Sequence, residues 1–244
     1  MSGEKYLIVN ADDFGQSSGI NRGIVEAHEH GIVTSTSLMT RWPGAVEAAR
    51  YARTHPDLSV GLHVDLGEWA YREGNWLLVY SVASLDNAAA VKKEIVAQLT
   101  TFRRLLGRDP THIDSHQHVH LREPTRSALV EIARHLQIPL RHFTPGIYYC
   151  GNFYGQTAEG TPLPHVISIE ALIKILQGLP PGVTELGCHP GEVNDLDTMY
   201  GSERAKELKV LCNPQIRTTI STLGIELCSF ANLPAEWPRP QPSA

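Results

Sequence analysis

Short β-branched runs alternate with longer stretches of helical periodicity along almost the whole chain. Residues 6–10, 32–39, 59–66, 111–116, 140–143, 183–188 and 225–229 read as strands. Helical patterns fill 18–30, 43–54, 88–106, 124–137, 168–179, 202–211 and 213–223. Strands that alternate with helices imply βαβ units and a parallel sheet. About seven parallel strands without an internal boundary, in 244 residues, suit a single-domain α/β fold. The expected architecture is (β/α) barrel-like, complete or short of closure. The domain is expected over 1–232, with a loose Pro-rich tail, ending "PAEWPRPQPSA", over 233–244. Residues 69–86 read as an excursion or flap. Residues 144–165, rich in Gly, Pro and Tyr, read as a long loop of the kind that covers active sites.

Composition narrows the partners. The net charge of −5 and the lack of a concentrated basic patch argue against a nucleic-acid or anionic-membrane surface. No apolar run approaches the roughly 18–20 residues that span a bilayer, and the N-terminal residues lack the apolar core of a signal peptide. The four cysteines form no C-x-x-C pair or zinc-finger spacing, so they are expected as reduced, mostly buried thiols in a cytoplasmic protein.

In a (β/α) barrel the chemistry sits at the C-terminal ends of the strands. The first strand ends in "LIVNADDFG", with Asn10, Asp12 and Asp13. The third ends in "GLHVDLGE", with His63 and Asp65. The fourth runs into "HIDSHQHVH", with His112, Asp114, His116, His118 and His120, and the strand near 186 ends in "GCHPGE", with His189 and Glu192. Four strand ends that carry His or carboxylate signal a site. Side chains alternate along a strand, so Gly61, His63 and Asp65 share one face. The five even positions of 112–120 would do the same while that segment stays extended.

Two imidazoles and a carboxylate suit a borderline divalent metal such as zinc. Such a metal lowers the pKa of bound water, and a nearby carboxylate can take the proton. Two adjacent Asp residues can divide these tasks. Taken singly, the residues allow plainer roles. Asp12 and Asp13 also suit a helix cap. His118 and His120 also suit a surface loop, and His189 a structural position. Cys188 lies in an apolar run on the opposite face from His189 and reads as core. No G-x-S-x-G elbow or Walker loop is present.

Taken together, "LIVNADDFG", "GIVTSTSLM", "GLHVDLGE", "PTHIDSHQHVH" and "CHPGE" make the chain resemble the YdjC/ChbG-like carbohydrate deacetylases. The resemblance spans nearly the whole chain. It implies a (β/α)-barrel-like fold and removal of an N-acetyl group from an amino sugar, such as a chitooligosaccharide, with one divalent metal ion, zinc or magnesium. It implies Asp13, His63 and His116 as metal ligands, Asp12 as general base, and His189 in the catalytic site with a protonating or oxyanion-facing role. Asp114, His118, Glu192 and Tyr148 are expected to touch substrate. Trp69, Tyr71, Trp76, Tyr149, Phe153 and Tyr154 either stack on sugar or pack the loops. A homodimer follows from the resemblance alone. The "HPGE" form is more similar to the branch associated with hopanoid biosynthesis, or to uncharacterised relatives, than to the "HPA" form of the chitooligosaccharide enzymes. Two other functions stay open. One is a metal-dependent hydrolase of another amide or a phosphoester, with Asp65, Asp114 and His118 able to serve a second metal. The other is a non-catalytic sugar-binding protein.

Overall fold

In a computed structural model of the chain, the described residues are 3–192, 195–196 and 198–234. All of the expected tail beyond Pro234 lies outside them. The chain order is β1 (Lys5–Phe14), α1 (Ser18–Glu29), β2 (Ser35–Leu38), α2 (Ala45–Thr54), β3 (Ser59–Val64), β4 (Gly67–Arg72), β5 (Asn75–Ser81) and α3 (Ala88–Leu106). After these come β6 (Ile113–Ser115), a 3-10 turn (His116–Leu121), α4 (Thr125–Leu136), β7 (Ile147–Cys150), α5 (Ile169–Gln177), β8 (Gly182–Cys188), α6 (Gly201–Leu211), α7 (Pro214–Thr222) and β9 (Ile225–Leu227).

Seven strands form one parallel sheet in the order β6-β3-β2-β1-β8-β7. β9 pairs with the first half of β1 and β2 with its second half. The helices pack outside, over an apolar layer that includes Leu7, Val9, Val60, Leu62, Leu186 and Phe102. No backbone pairing joins β6 to β7 among the described residues, so the barrel stops short of closure. At this seam the segment after α4 makes a single bridge, Ile113 to Leu140. The strand expected over 140–143 is therefore one residue of pairing. The true edge strand is β7, inside the stretch expected to be a loop. "IYYC" suits a strand, but Pro145, Gly146 and Gly151 around it conceal the signal.

The segment read as an excursion is the antiparallel hairpin β4–β5. Asp65 anchors it: its carboxylate accepts from Tyr80 Oη (2.9 Å), Trp42 Nε1 (3.1 Å) and Gly67 N (3.1 Å), and pairs with Arg41. Gln117 docks the hairpin onto the 3-10 turn, donating to Trp69 O and accepting from Trp69 N. No helix among the described residues is long and apolar enough to cross a membrane.

Candidate active site

The two adjacent carboxylates are placed by a bulge in β1. Pairing with β2 runs Asn10–Ser35 and Ala11–Thr36, then shifts to Phe14–Leu38. Asp13 sits at φ +70°, in the left-handed region that Asp tolerates better than most residues. Ordinary alternation would send Asp12 and Asp13 to opposite faces. The bulge instead keeps both at the mouth, each under 4% exposed. Neither caps α1; Ser17 does, accepting from Ile20 N at 3.2 Å.

Asp13 Oδ1 meets two rings, His63 Nε2 and His116 Nδ1, each at 3.2 Å. Its other oxygen accepts from Arg204 at 2.5 Å. His63 Nδ1 lies 2.7 Å from Asp114 Oδ1. This contact turns Nε2 toward Asp13 and fixes the ring, as carboxylate partners do for metal-binding histidines. The potential ligand atoms of Asp13, His63 and His116 lie within 4.8 Å of one another. Burial works against ionisation of Asp13, but Arg204 and the two rings outweigh it and hold its pKa well below the usual carboxylate range. Burial likewise opposes charge on His63, yet Asp114 and Asp13 raise its pKa well above the ordinary value. His116 shifts up for the same reason, through Asp13.

Behind this set the half-barrel interior is a polar column rather than the usual branched apolar filling. Arg141, from the seam, donates to Asp12 at 2.7 and 2.8 Å, to Glu185 at 2.7 Å, and pairs with Asp114 at 2.7 Å. Asn10 Nδ2 donates to Asp12 (2.9 Å) and Ser37 (2.8 Å), and Ser37 donates to Asp114 (2.6 Å). His112 stacks on Phe230 and rests on Gly61, where a Cβ would meet its ring at 2.5 Å. Burial disfavours the Asp12 anion, but Arg141 outweighs it and keeps its pKa below normal. Burial pushes Glu185 up to about 7. One guanidinium thus serves three carboxylates. It also occupies the space between Asp12 and Asp114, so their grouping with His63, though compact, already holds a fixed cation.

His189, at the end of β8, places Nε2 3.8 Å from Asp12 Oδ2. Its ring lies edge-on to Tyr154 and Tyr200. Its backbone N–H donates to Glu207 Oε2 at 2.5 Å, and Tyr200 Oη donates to the other Glu207 oxygen. Burial lowers His189 to about 4 and raises Glu207 to about 8.

The remaining expected residues fall elsewhere. Asp114 is fully buried behind His63, so it orients that ring and has no surface for substrate. Glu192 pairs with Arg22 at 2.6 Å on the outer side of α1. Tyr148 is 57% exposed on the outer face of β7. Its neighbour Tyr149 faces inward instead, its hydroxyl against Gly187, where a Cβ would lie 2.7 Å away. His116, His118 and His120 do not share one extended face, because the chain leaves β6 for a 3-10 turn at His116. Gln117 and His118 there have φ of 49° and 52°. His118 and His120 join His142 instead. Phe153 is core and Cys188 is buried, its thiol donating to Asn10 O. Arg141, Arg204, Glu207 and Glu68, whose carboxylate lies 4.0 Å from His116 Nε2, carry no signal in the sequence. They act across long separations, and no local pattern marks them.

The YdjC-like protein family matches residues 6–222. A carbohydrate deacetylase of Geobacillus stearothermophilus is 31% identical over 93% of this chain and 97% of its own. A chitooligosaccharide deacetylase of Serratia marcescens is 32% identical over 94% and 100%. An Enterococcus faecalis V583 crystal structure, provisionally assigned to cellobiose-phosphate cleavage, is 28% identical with a TM-score of 0.73, covering 93% of this chain and 98% of that one.

Proposed function

The chain belongs to the YdjC-like family, and from that premise we propose that it hydrolyses the N-acetyl group of an amino sugar, releasing acetate. The observation that carries this reading is the division of labour in the Asp pair. Asp13 faces two imidazoles at 3.2 Å, while Asp12, beside it, is held as an anion by Arg141 and forms no ion pair with either ring among the described residues.

Asp13, His63 and His116 fit a divalent ion. One carboxylate oxygen and two ring nitrogens converge, and Asp114 and Arg204 fix the atoms that do not. Two nitrogen donors in three favour zinc over magnesium, which prefers an all-oxygen shell. Such an ion supplies Lewis acidity, polarising a carbonyl and making a water acidic near neutral pH. Asp12 takes the proton from the attacking water as oxygen adds to the acetamide carbon. His189, neutral because burial lowers its pKa to about 4, donates a hydrogen bond to the charge that develops on the substrate. The C–N bond breaks as the nitrogen takes the proton that Asp12 removed from water, which restores the Asp12 anion. Acetate and a free amino sugar leave, the acid's proton passing to the amine or to solvent. Tyr154, 40% exposed beside His189, offers a ring face to the sugar.

A two-metal phosphoesterase finds less support. Asp65 is spent on the hairpin, and Asp114 on His63, Ser37 and Arg141. The test is acetate release from a panel of N-acetylated mono- and oligosaccharides, with and without chelator. Acetate that requires metal is expected. Bound metal with no acetate from any sugar would overturn the proposed substrate class.

A further inference from the structure

We propose a second metal site, formed by His118, His120 and His142 at the open seam of the barrel, that takes a borderline divalent cation such as zinc. The three rings face one another with centroids 5.5–5.7 Å apart. Their potential ligand atoms fall within 4.8 Å of each other. His120 is fully buried, and its Nδ1 is engaged with Ser115 Oγ at 2.6 Å. That leaves Nε2, which is buried and meets no hydrogen-bond partner among the described residues. The same is true of His118 Nδ1. Buried polar atoms are normally paired, so two unpaired nitrogens turned into one cluster call for a shared partner.

The chemistry of the set selects that partner. Three imidazoles with no carboxylate among them suit zinc, nickel or copper and discriminate against magnesium and calcium. The nearby fixed cation is Arg141, next to His142 in the chain, and its charge is already met by Asp12, Asp114 and Glu185. His142 is exposed, which gives an ion a path in. The position suggests the role. His118 and His120 follow β6, and His142 follows the single Leu140 bridge. Tyr149 of β7 packs on His118 and His142 at 5.5 and 4.6 Å. An ion held here ties the end of β6 to the segment after α4, beside the gap that backbone pairing leaves between β6 and β7.

The test is a zinc titration of the metal-stripped full-length chain, followed by bound-metal analysis and calorimetry. Wild type is expected to bind two equivalents at micromolar zinc. His142→Ala and His118→Gln should each bind one, and His116→Ala should keep the seam equivalent while losing the other. Filling the seam site to about a hundredfold over Kd should raise Tm by roughly 5–10 °C. His142→Ala, whose Asp13 set still takes zinc, should fall short of the wild-type rise by that margin, and magnesium should not supply the difference. A wild type whose only zinc is lost in His116→Ala and kept in His142→Ala overturns the proposal. So does a second equivalent that survives both seam substitutions, which would mark an adventitious surface ion. No deacetylase activity is read, so failure here is separate from failure of the proposed reaction.

Discussion

Two sets of histidines lie on either side of the end of β6, and the same nine residues, 112–120, contribute to both. His63 and His116 face Asp13, and His63 has Asp114 at its back. His118, His120 and His142 face one another and aromatic rings. The same side chain is pushed in opposite directions. Opposing carboxylates overcome burial at His63 and His116 and raise their pKa. At the seam burial wins, helped by Arg141 against the pull of Asp12 and Asp114, lowering His118 to about 4 and His120 to about 3, and lowering His142 as well. The neighbours of an imidazole, more than its depth, decide whether it waits as a cation or as a free ligand.

That contrast can be broken most severely at Arg141, the cation beneath the charged set. Arg141→Met leaves Asp12, Asp114 and Glu185 buried together without their shared cation. Stripping one partner from a buried charge cluster costs about 3–5 kcal/mol, much of a domain's stability. Chemical denaturation should show the loss, and an unchanged midpoint would mean that the polar column does not hold the half-barrel together.

Asp114→Asn probes one side only. It weakens the orientation of His63, so zinc affinity at the Asp13 set should fall by about 10–100-fold, while the seam equivalent keeps its affinity. Equal weakening at both would show that the two sets are coupled.

Acidity should separate the sets more gently. Metal must displace protons from His63 and His116, whose metal-free pKa values are raised by Asp114 and Asp13. Affinity there should climb with pH by up to about tenfold per unit for each proton released, levelling off only above those raised values. At the seam His118 and His120 are lowered to about 4 and about 3 and His142 is lowered as well, so affinity there should change less with pH than at the Asp13 set. Calorimetry in buffers of different ionisation enthalpy counts the protons, and equal release at both sites would contradict the contrast. The smallest effect belongs to His142→Ala in metal-free protein. An exposed ring with no hydrogen bond to other described residues should change stability by no more than about 0.5 kcal/mol, as thermal melts would show.

Much of the charged set was legible in the sequence because strand ends announce it. "NADDFG" and "GLH" stop apolar runs with ligand-type residues, and parallel strands bring such ends together. The bulge was not legible, since nothing in "ADD" says that Asp13 takes a positive φ. The seam set was legible only as composition. His118 and His120 were visible, but the chain turns after Ser115, and His142 comes from beyond α4. Arg141 and Arg204 were the hardest to find. Each is a lone Arg in an ordinary context, and the partners that give them meaning, Asp12 and Asp13, lie 129 and 191 residues away. The edge strand β7 was lost because four good strand residues sit between Pro-Gly and Gly, where turn chemistry dominates any local pattern.

The central claim is that the adjacent carboxylates do different work, Asp13 holding metal and Asp12 moving a proton. The most direct measurement determines bound metal and acetate release on the same samples of wild type, Asp12→Asn and His116→Ala. Asp12→Asn should keep the metal of the Asp13 set and lose turnover by about 10²–10⁴-fold. His116→Ala should lose that metal and turnover together. Full activity in Asp12→Asn, or an intact Asp13-set metal in His116→Ala, would contradict the assignment.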